Sequence, residues 1–506
     1  MIQSAREYHR ITSYKRHDMQ PHFLDWNNTP RTYKMYPDLP SLSLASTGSC
    51  HQKSIWELLE SKPKLDGKSR FDISTLSDVL LLSYALTAKR QMAGQTMYYR
   101  SVPSAGALYP TELYVCSDQI EDLEAGIYYY DIHGFSLKQL RSGDMVSIRE
   151  AIPPASHCKD VVATILLSGI FFRSSWKYRT RAFRYVSLDT GHLLENILLT
   201  LSLYAIPHTV SYRFDRDRLH HLIGVDGSRE ACFASIQIYG QTESQQQMLT
   251  SAAHDPVALA AEILDASQVS ARERVDETIA TFYRLGATDQ AEKRANRIAR
   301  VTDQEFSDSV SLEAPEAPDS VLAYAESVLK RRSIRAYGSD PYPRQQLMQL
   351  LSLLCRPLAL GTEPNRIDNS NLTVGFLATR VADFESGFYL LDRADKKCLL
   401  VKPGNLNNKM AAVCLDQDWL RQAPLHFLFM SNLDQHEVQM GSRGYRYDLL
   451  DAGRMGQRLY MGATAMGDGC CGIGALYDQE ARDLLGLNEG SYLLYLVAVG
   501  QPSGKQ

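Results

Sequence analysis

Apolar residues recur at helical spacing over 76–86 and, more densely, over 187–204. Between and after these runs the pattern changes. Residues 112–116, 126–131 and 161–168 are short apolar blocks, and 231–239 alternates apolar with polar. Helical spacing predicts helices, and the blocks and the alternation predict buried and half-buried strands. Helices mixed with hairpin-like strands predict an α+β sandwich rather than a parallel βαβ array. No GxGxxG follows a predicted strand and no P-loop is present.

The pattern then repeats. Arg181-Ala-Phe-Arg-Tyr185 and Leu188-Asp-Thr-Gly191 reappear, without a gap, as Arg443-Gly-Tyr-Arg-Tyr447 and Leu450-Asp-Ala-Gly453, 262 residues on. Leu222-Ile-Gly224 matches Leu484-Leu-Gly486 at the same offset. Gly126-Ile-Tyr-Tyr-Tyr-Asp131 returns as Gly387-Phe-Tyr-Leu-Leu-Asp392 after 261 residues, and Gly240 as Gly500 after 260. Matches in order at a nearly constant offset mean duplication. The chain divides into an N-terminal arm (1–50), a first module (51–241), a connector (242–318) and a second module (319–506). The connector shows helical periodicity over 257–264 and 275–285, then an acidic, proline-containing stretch over 306–320. Two similar α+β units are expected to pack about a pseudo-two-fold axis, as a homodimer does.

Composition narrows the function. Of 506 residues, 44% are hydrophobic and 22% charged, with Lys+Arg 54 against Asp+Glu 58, a net charge of −4. Such a chain is globular, and it lacks the basic surplus by which proteins grip nucleic acid. Residues 1–16 hold no apolar run of signal-peptide length, and no stretch reaches the roughly 20 apolar residues that cross a bilayer. Nine cysteines include no CxxC pair and no Cys/His zinc spacing, so no metal site is expected. Cys470 and Cys471 read as small buried hydrophobes. No membrane or nucleic-acid partner is expected, and the compartment reads as reducing cytoplasm.

Four motifs could carry chemistry. Arg331-Arg-Ser-Ile-Arg335 follows a helical run and makes an anion cradle from Arg331, Arg332, Ser333 and Arg335; a solvated basic helix end has the same composition. Pro103-Ser-Ala-Gly-Ala-Leu-Tyr-Pro110 is a turn whose small residues let a flat ligand approach the backbone, with Ser104 as a donor; a structural turn is the alternative. Gly467-Asp-Gly-Cys-Cys-Gly-Ile-Gly474-Ala is a glycine-rich turn after the apolar helix of the second copy, serving as a helix cap or presenting amides to a ligand. Lys177-Tyr178 has no counterpart in the second copy, where Gly441-Ser442 stands, and pairs a cation with a phenol able to move protons; most such pairs are surface residues. His192 and Glu195 read as polar residues near a helix start or as ligands.

Together, Arg331–Arg335, Pro103-Ser-Ala-Gly106, Lys177-Tyr178 with Arg181–Tyr185, and Gly191-His192 resemble the FMN-dependent nitroreductase superfamily, and within it the SagB-type dehydrogenases that oxidise azolines. The arm, with Tyr8-His9 and Tyr33-Lys-Met-Tyr-Pro37, is similar to the one that opens many of those proteins. The resemblance implies FMN bound between two modules that form an intramolecular pseudo-dimer. The cofactor-binding set would be Arg331, Arg332, Ser333 and Arg335 at the phosphate, Pro103, Ser104, Ala105 and Gly106 from the first module, and Gly472, Ile473 and Gly474 facing the ring. Lys177 and Tyr178 would be the catalytic acid/base pair, with either as the base. The reciprocal set is degraded. The first copy has only Lys62-Pro-Lys64 and Ser69-Arg70 for the arginines and Ala205-Ile-Pro-His-Thr-Val for the glycine turn; the second has Gly361-Thr-Glu-Pro-Asn365 for the Pro-Ser turn. One FMN site and one dead site are therefore expected per chain.

The resemblance also implies a small-molecule or modified-peptide substrate and a cyclodehydratase partner encoded elsewhere. It departs at the C-terminus, where only Lys505 follows Gly500, although simple nitroreductases bring basic residues there to the phosphate. Two other readings stand beside it: an NAD(P)H-dependent reductase of nitro or quinone compounds that needs no Lys177, and a flavin-fold scaffold without catalysis. The fused pseudo-dimer leaves further dimerisation open.

Overall fold

Both halves build the same seven-stranded antiparallel sheet. The computed structural model describes residues 2–19, 23–48, 51–61, 70–92, 95–143, 145–152, 161–240, 257–286, 300–304, 306, 308–312, 318, 320–358 and 372–504. The strands are β1 (Ser41–Ser43), β2 (Leu86–Met92), β3 (Gln95–Arg100), β4 (Thr111–Ser117), β5 (Gly126–Asp131), β6 (Ser136–Ser142), β7 (Val161–Ile170), β8 (His208–Ser211) and β9 (Glu230–Tyr239). The second half adds β10 (Asp308–Ser311), β11 (Thr373–Ala378), β12 (Gly387–Asp392), β13 (Lys397–Pro403), β14 (Leu425–Asn432), β15 (Gly469–Ile473) and β16 (Ser491–Gly500). The first sheet runs β1-β6-β5-β4-β7-β9-β8 and the second β10-β13-β12-β11-β14-β16-β15, so every strand has its counterpart in the same place. The duplication read from the sequence is a duplication of fold. β2 and β3 form a separate hairpin.

The centre is a pair of long helices, Ala182–Leu203 and Arg443–Ala465. Both are buried almost all round, which explains their near-continuous apolar pattern. They cross at the glycines of the repeated Leu-Asp-x-Gly block. A Cβ on Gly191 would lie 2.1 Å from the Leu450 carbonyl oxygen, and one on Gly453 would lie 2.2 Å from that of Leu188. This reciprocity is what a two-fold axis produces. Only glycine lets the backbones approach so closely.

Polar residues on these helices are paired across the axis. His192 Nδ1 meets Gln457 Oε1 at 3.0 Å. Glu195 takes Arg454 Nε at 2.8 Å and Arg458 Nε at 2.6 Å. Arg454 and Gln457 are the counterparts of His192 and Glu195 at the 262-residue offset, so one contact is made twice with different side chains. Burial works against the Glu195 carboxylate, but the Arg458 and Arg454 guanidiniums hold it below its ordinary range. His192 and Glu195 are thus mid-helix residues rather than helix-start residues, because the helix begins at Ala182.

Three further expectations change. The glycine-rich stretch after the second long helix is strand β15, pairing with β16 from Gly469↔Gly500 to Ile473↔Leu496. The helix expected over 76–86 runs Ile73–Ser83, because Leu86 enters the β2–β3 hairpin. The arm and connector are structural parts of the modules: β1 lies in the arm and β10 in the connector, and each is the edge strand of its sheet. The connector's described helices are Ala261–Asp265 and Glu277–Leu285. No helix among the described residues is long and apolar enough to cross a membrane.

Candidate active site

The turn after β3 carries unusual backbone. Gly106, Ala107 and Tyr109 all have positive φ, at 66°, 55° and 47°. Two of the three are not glycine, so the conformation must be held by its surroundings. Asp189 of the first long helix holds it: its carboxylate accepts from Ser104 Oγ at 2.5 Å and from the Ala105 amide at 3.2 Å. Ser104 Oγ in turn accepts from the Tyr109 amide at 2.9 Å.

Lys177 and Tyr178 end the helix Phe171–Tyr178 that follows β7. A Cβ on Gly106 would lie 2.8 Å from the Tyr178 hydroxyl and 3.3 Å from Lys177 Nζ, so both polar ends stand over the one residue without a side chain. The Tyr178 ring packs 4.4 Å from that of Tyr185. Burial, aided by nearby Asp189, pushes the Tyr178 phenol well above its ordinary value.

The second module supplies the opposite wall. Pro103, Ser104, Ala105, Gly106 and Tyr178 line one cleft with Ser333, Arg335, Gly472, Ile473 and Gly474, and about 730 Å3 of empty space lies within it, open mouth included. Tyr185, Leu188, Asp189, His192, Gln417, Trp419, Tyr460, Cys471, Ala475 and Tyr495 complete the lining. The glycines make room here too: a Cβ on Gly472 would stand 1.8 Å from the Tyr495 hydroxyl, and one on Gly474 2.8 Å from the Tyr185 ring. The Gly472 amide donates to Tyr460 Oη at 2.8 Å, and that hydroxyl lies 3.1 Å from Ser333 Oγ. His192, pushed down to about 3 by burial, is neutral and meets Tyr495 Oη at 2.9 Å.

The five-residue arginine motif is divided between two roles. Arg331 is buried, with Nε on the Ser101 carbonyl at 2.8 Å and Nη2 on that of Arg100 at 3.0 Å, while Nη1 has no hydrogen-bond partner. Arg332 turns to the Thr87 carbonyl at 3.1 Å. Ser333 and Arg335 reach the cleft, where the Arg335 guanidinium lies 6.0 Å from the Trp419 ring.

Asp189, Tyr185, Tyr460, Tyr495, Gln417 and Trp419 line the cleft without having been singled out from the sequence as site residues. Asp189 and Tyr185 did leave a signal, as polar members of a repeated block on an apolar helix; Gln417 and Trp419 left none. Burial raises the Asp189 carboxyl to about 7, although Ser104 and Ala105 pull it down. Its unfolded value is near 4, so the folded state keeps a proton that the unfolded state releases between those values. Stability from this group is full below pH 4 and falls as pH rises towards 7. Asp189→Asn is expected to remove that slope. Urea midpoints of the wild type relative to the variant should fall between pH 5 and 7.5, and parallel curves would refute the assignment.

The pseudo-symmetric place is built differently. Asp451, the counterpart of Asp189, accepts from the hydroxyl of buried Tyr212 at 2.9 Å. The Tyr212 carbonyl is held by Arg446 at 3.0 Å. Residues 62–69 and 361–365, on which most of the degraded reciprocal set falls, lie outside the described residues, as does Lys505.

Residues 328–501 match the nitroreductase family model. A crystal structure from Anabaena variabilis, described as a nitroreductase, aligns with 99% of this chain and 100% of its own, at 26% identity and a TM-score of 0.78. A protein of Methanocaldococcus jannaschii described as a nitroreductase is 26% identical over 197 residues, 38% of this chain and 98% of that one. The trifolitoxin-processing protein TfxB of Rhizobium leguminosarum bv. trifolii is 26% identical over 212 residues, 40% of this chain and 56% of that protein. The second module holds a nitroreductase family domain, and the chain as a whole carries the nitroreductase-like α+β fold twice in tandem.

Proposed function

We propose that the cleft binds FMN and that the protein is a SagB-type dehydrogenase, oxidising azoline rings of a modified peptide. The observation that carries this reading is the composite cleft, in which Tyr178 and the Pro103–Gly106 turn of one module face Ser333, Arg335 and Gly472–Gly474 of the other, with Lys177 Nζ beside Gly106 at its edge. The residues fit the cofactor. Arg335 and Ser333 offer a cation and a hydroxyl for a phosphate, and Arg331 Nη1 is a buried donor without a partner. Gly106, Gly472 and Gly474 let Tyr178, Tyr495 and Tyr185 close on the cleft wall, where their rings and hydroxyls would border a flat ligand. Similarity to a toxin-processing protein supports a peptide substrate. A cyclodehydratase would supply the azoline beforehand, and the reaction would belong in the cytoplasm.

Bound FMN would supply the acceptor for the ring hydride, at N5, and pass the electrons to dioxygen or another oxidant. The chain's own residues handle the proton. Tyr178, held protonated by burial, donates a hydrogen bond and orients the azoline nitrogen or its neighbouring carbonyl. Lys177 Nζ, beside the same glycine, is the group left to take the proton from the adjacent ring carbon. The strained turn held by Asp189 fixes Gly106, beside which both groups stand.

The test is flavin content. Purified wild type should be yellow and release a single equivalent of FMN per chain, while Arg331→Ala/Arg335→Ala should come out colourless and stay so after soaking in FMN. Unchanged flavin in the variant would overturn the reading. Two equivalents in the wild type would show that the Asp451 side also binds.

A further inference from the structure

The arm does more than complete a sheet. Its helix, Ala5–Ile11, places Tyr8 and His9 in full burial between the modules, with the Tyr8 ring stacked on Phe282 at 4.1 Å. The following residues cross the second module beside the cleft. The Tyr14 amide donates to Asp478 Oδ2 at 3.1 Å, and Tyr14 forms a bridge with Tyr477. Asp478 also takes Arg181, whose other nitrogen donates to the Gly474 carbonyl at 3.0 Å.

Arg16 ends this run, and its guanidinium is spent on three separate pieces of the second module. It meets both carboxylate oxygens of Glu480 at 3.0 and 2.9 Å, Asp416 Oδ2 at 2.8 Å and the Ala412 carbonyl at 3.0 Å. It lies 4.3 Å from the Tyr477 ring centroid. Asp416 belongs to a loop that needs holding: Leu415 and Asp416 are consecutive non-glycine residues at positive φ, 58° and 55°. Directly after them come Gln417 and Trp419, which line the cleft and bond to each other at 3.3 Å.

We infer that Arg16 is a positioning residue. It clamps the strained Leu415–Asp416 turn against the helix Asp478–Leu485, and so fixes Gln417 and Trp419 as the part of the second-module wall that faces a ligand in the cleft. The arm is then a strap across the module that carries the arginine motif, although it precedes the other module in sequence. No residue near Arg16 announces this, because its partners lie 396 to 464 positions away. The inference takes the cleft as the ligand site, and so rests on the proposed function.

Full-length Arg16→Ala, Arg16→Lys and Asp416→Asn, with wild type, decide it. Hydrogen exchange read by mass spectrometry should speed up at least tenfold over 412–420 in Arg16→Ala and Asp416→Asn, while β14 and β16 stay as protected as in wild type. Arg16→Lys keeps one charge contact and loses the fork, so its exchange should fall between. Titration of stripped protein with FMN, followed by quenching of its fluorescence, should show affinity weakened several-fold in the same order. Unchanged exchange over 412–420 in Arg16→Ala overturns the clamp, and so does faster exchange spread evenly over the sheet. Should the wild type bind no FMN, the proposed function fails, and the exchange pattern still decides whether Arg16 holds the loop.

Discussion

Alanine at Gly453 is expected to destabilise the folded chain by roughly 2–3 kcal/mol, the upper range for forcing extra atoms into a packed core. The sign is the informative part. In a helix that touches nothing, replacing glycine by alanine gains about 1 kcal/mol, because glycine loses more backbone freedom on folding. Here the added methyl would stand 2.2 Å from the Leu188 carbonyl oxygen, which is backbone and cannot rotate away, so the two long helices must separate. Gly191→Ala meets the Leu450 carbonyl from the other side and should cost a similar amount. The two sites face each other, with the Gly191 Cα 3.0 Å from the added Gly453 methyl, so the double variant should cost clearly less than the sum of the singles. Once one methyl has spread the helices, the second fits the gap. Urea midpoints of the three variants measure all of this, and a raised midpoint in either single variant would refute the crossing.

The fold was legible because it is written twice. A single block such as Leu188-Asp-Thr-Gly191 could be a helix fragment of any kind, but its return 262 residues later, flanked by matching strands, carries the architecture with it. The repeated glycine marks the crossing point, where no side chain can be tolerated in either copy. The sheet edges were not legible, since β1 and β10 are short and exposed and sit in segments read as arm and connector.

The arginine motif shows a different limit. Read as a string, Arg331 to Arg335 looks like one cradle. The segment runs extended, with Ser333 bridging to Cys470, and an extended chain sends alternate side chains to opposite sides. Ser333 and Arg335 therefore reach the cleft while Arg332 leaves it, and Ile334 packs on Gly469. Composition gave the charge and period two decided where it points. The arm was hardest to read. Lys34 looks like an ordinary surface lysine, yet it is buried on Glu230 at 2.7 Å, a partner 196 residues on that no local pattern reveals.

Lys177→Ala is expected to lower the rate of azoline oxidation by roughly 100- to 10,000-fold, the usual worth of a positioned acid or base. Flavin content and its visible spectrum should not change, because Nζ reaches the turn at Gly106 and none of the residues assigned to the phosphate. That separation distinguishes a chemical role from a binding one. Small primary amines added to the variant should restore part of the rate, with larger recovery for amines that fit the space the side chain vacates. Tyr178→Phe should cost less and should not respond to amines, since burial holds that phenol protonated and its part is to donate. A synthetic peptide bearing one thiazoline, followed by the two-dalton mass loss on oxidation, reads each rate directly. Full activity in Lys177→Ala would remove the pair from the chemistry and leave the cleft to a reductase that does not need it.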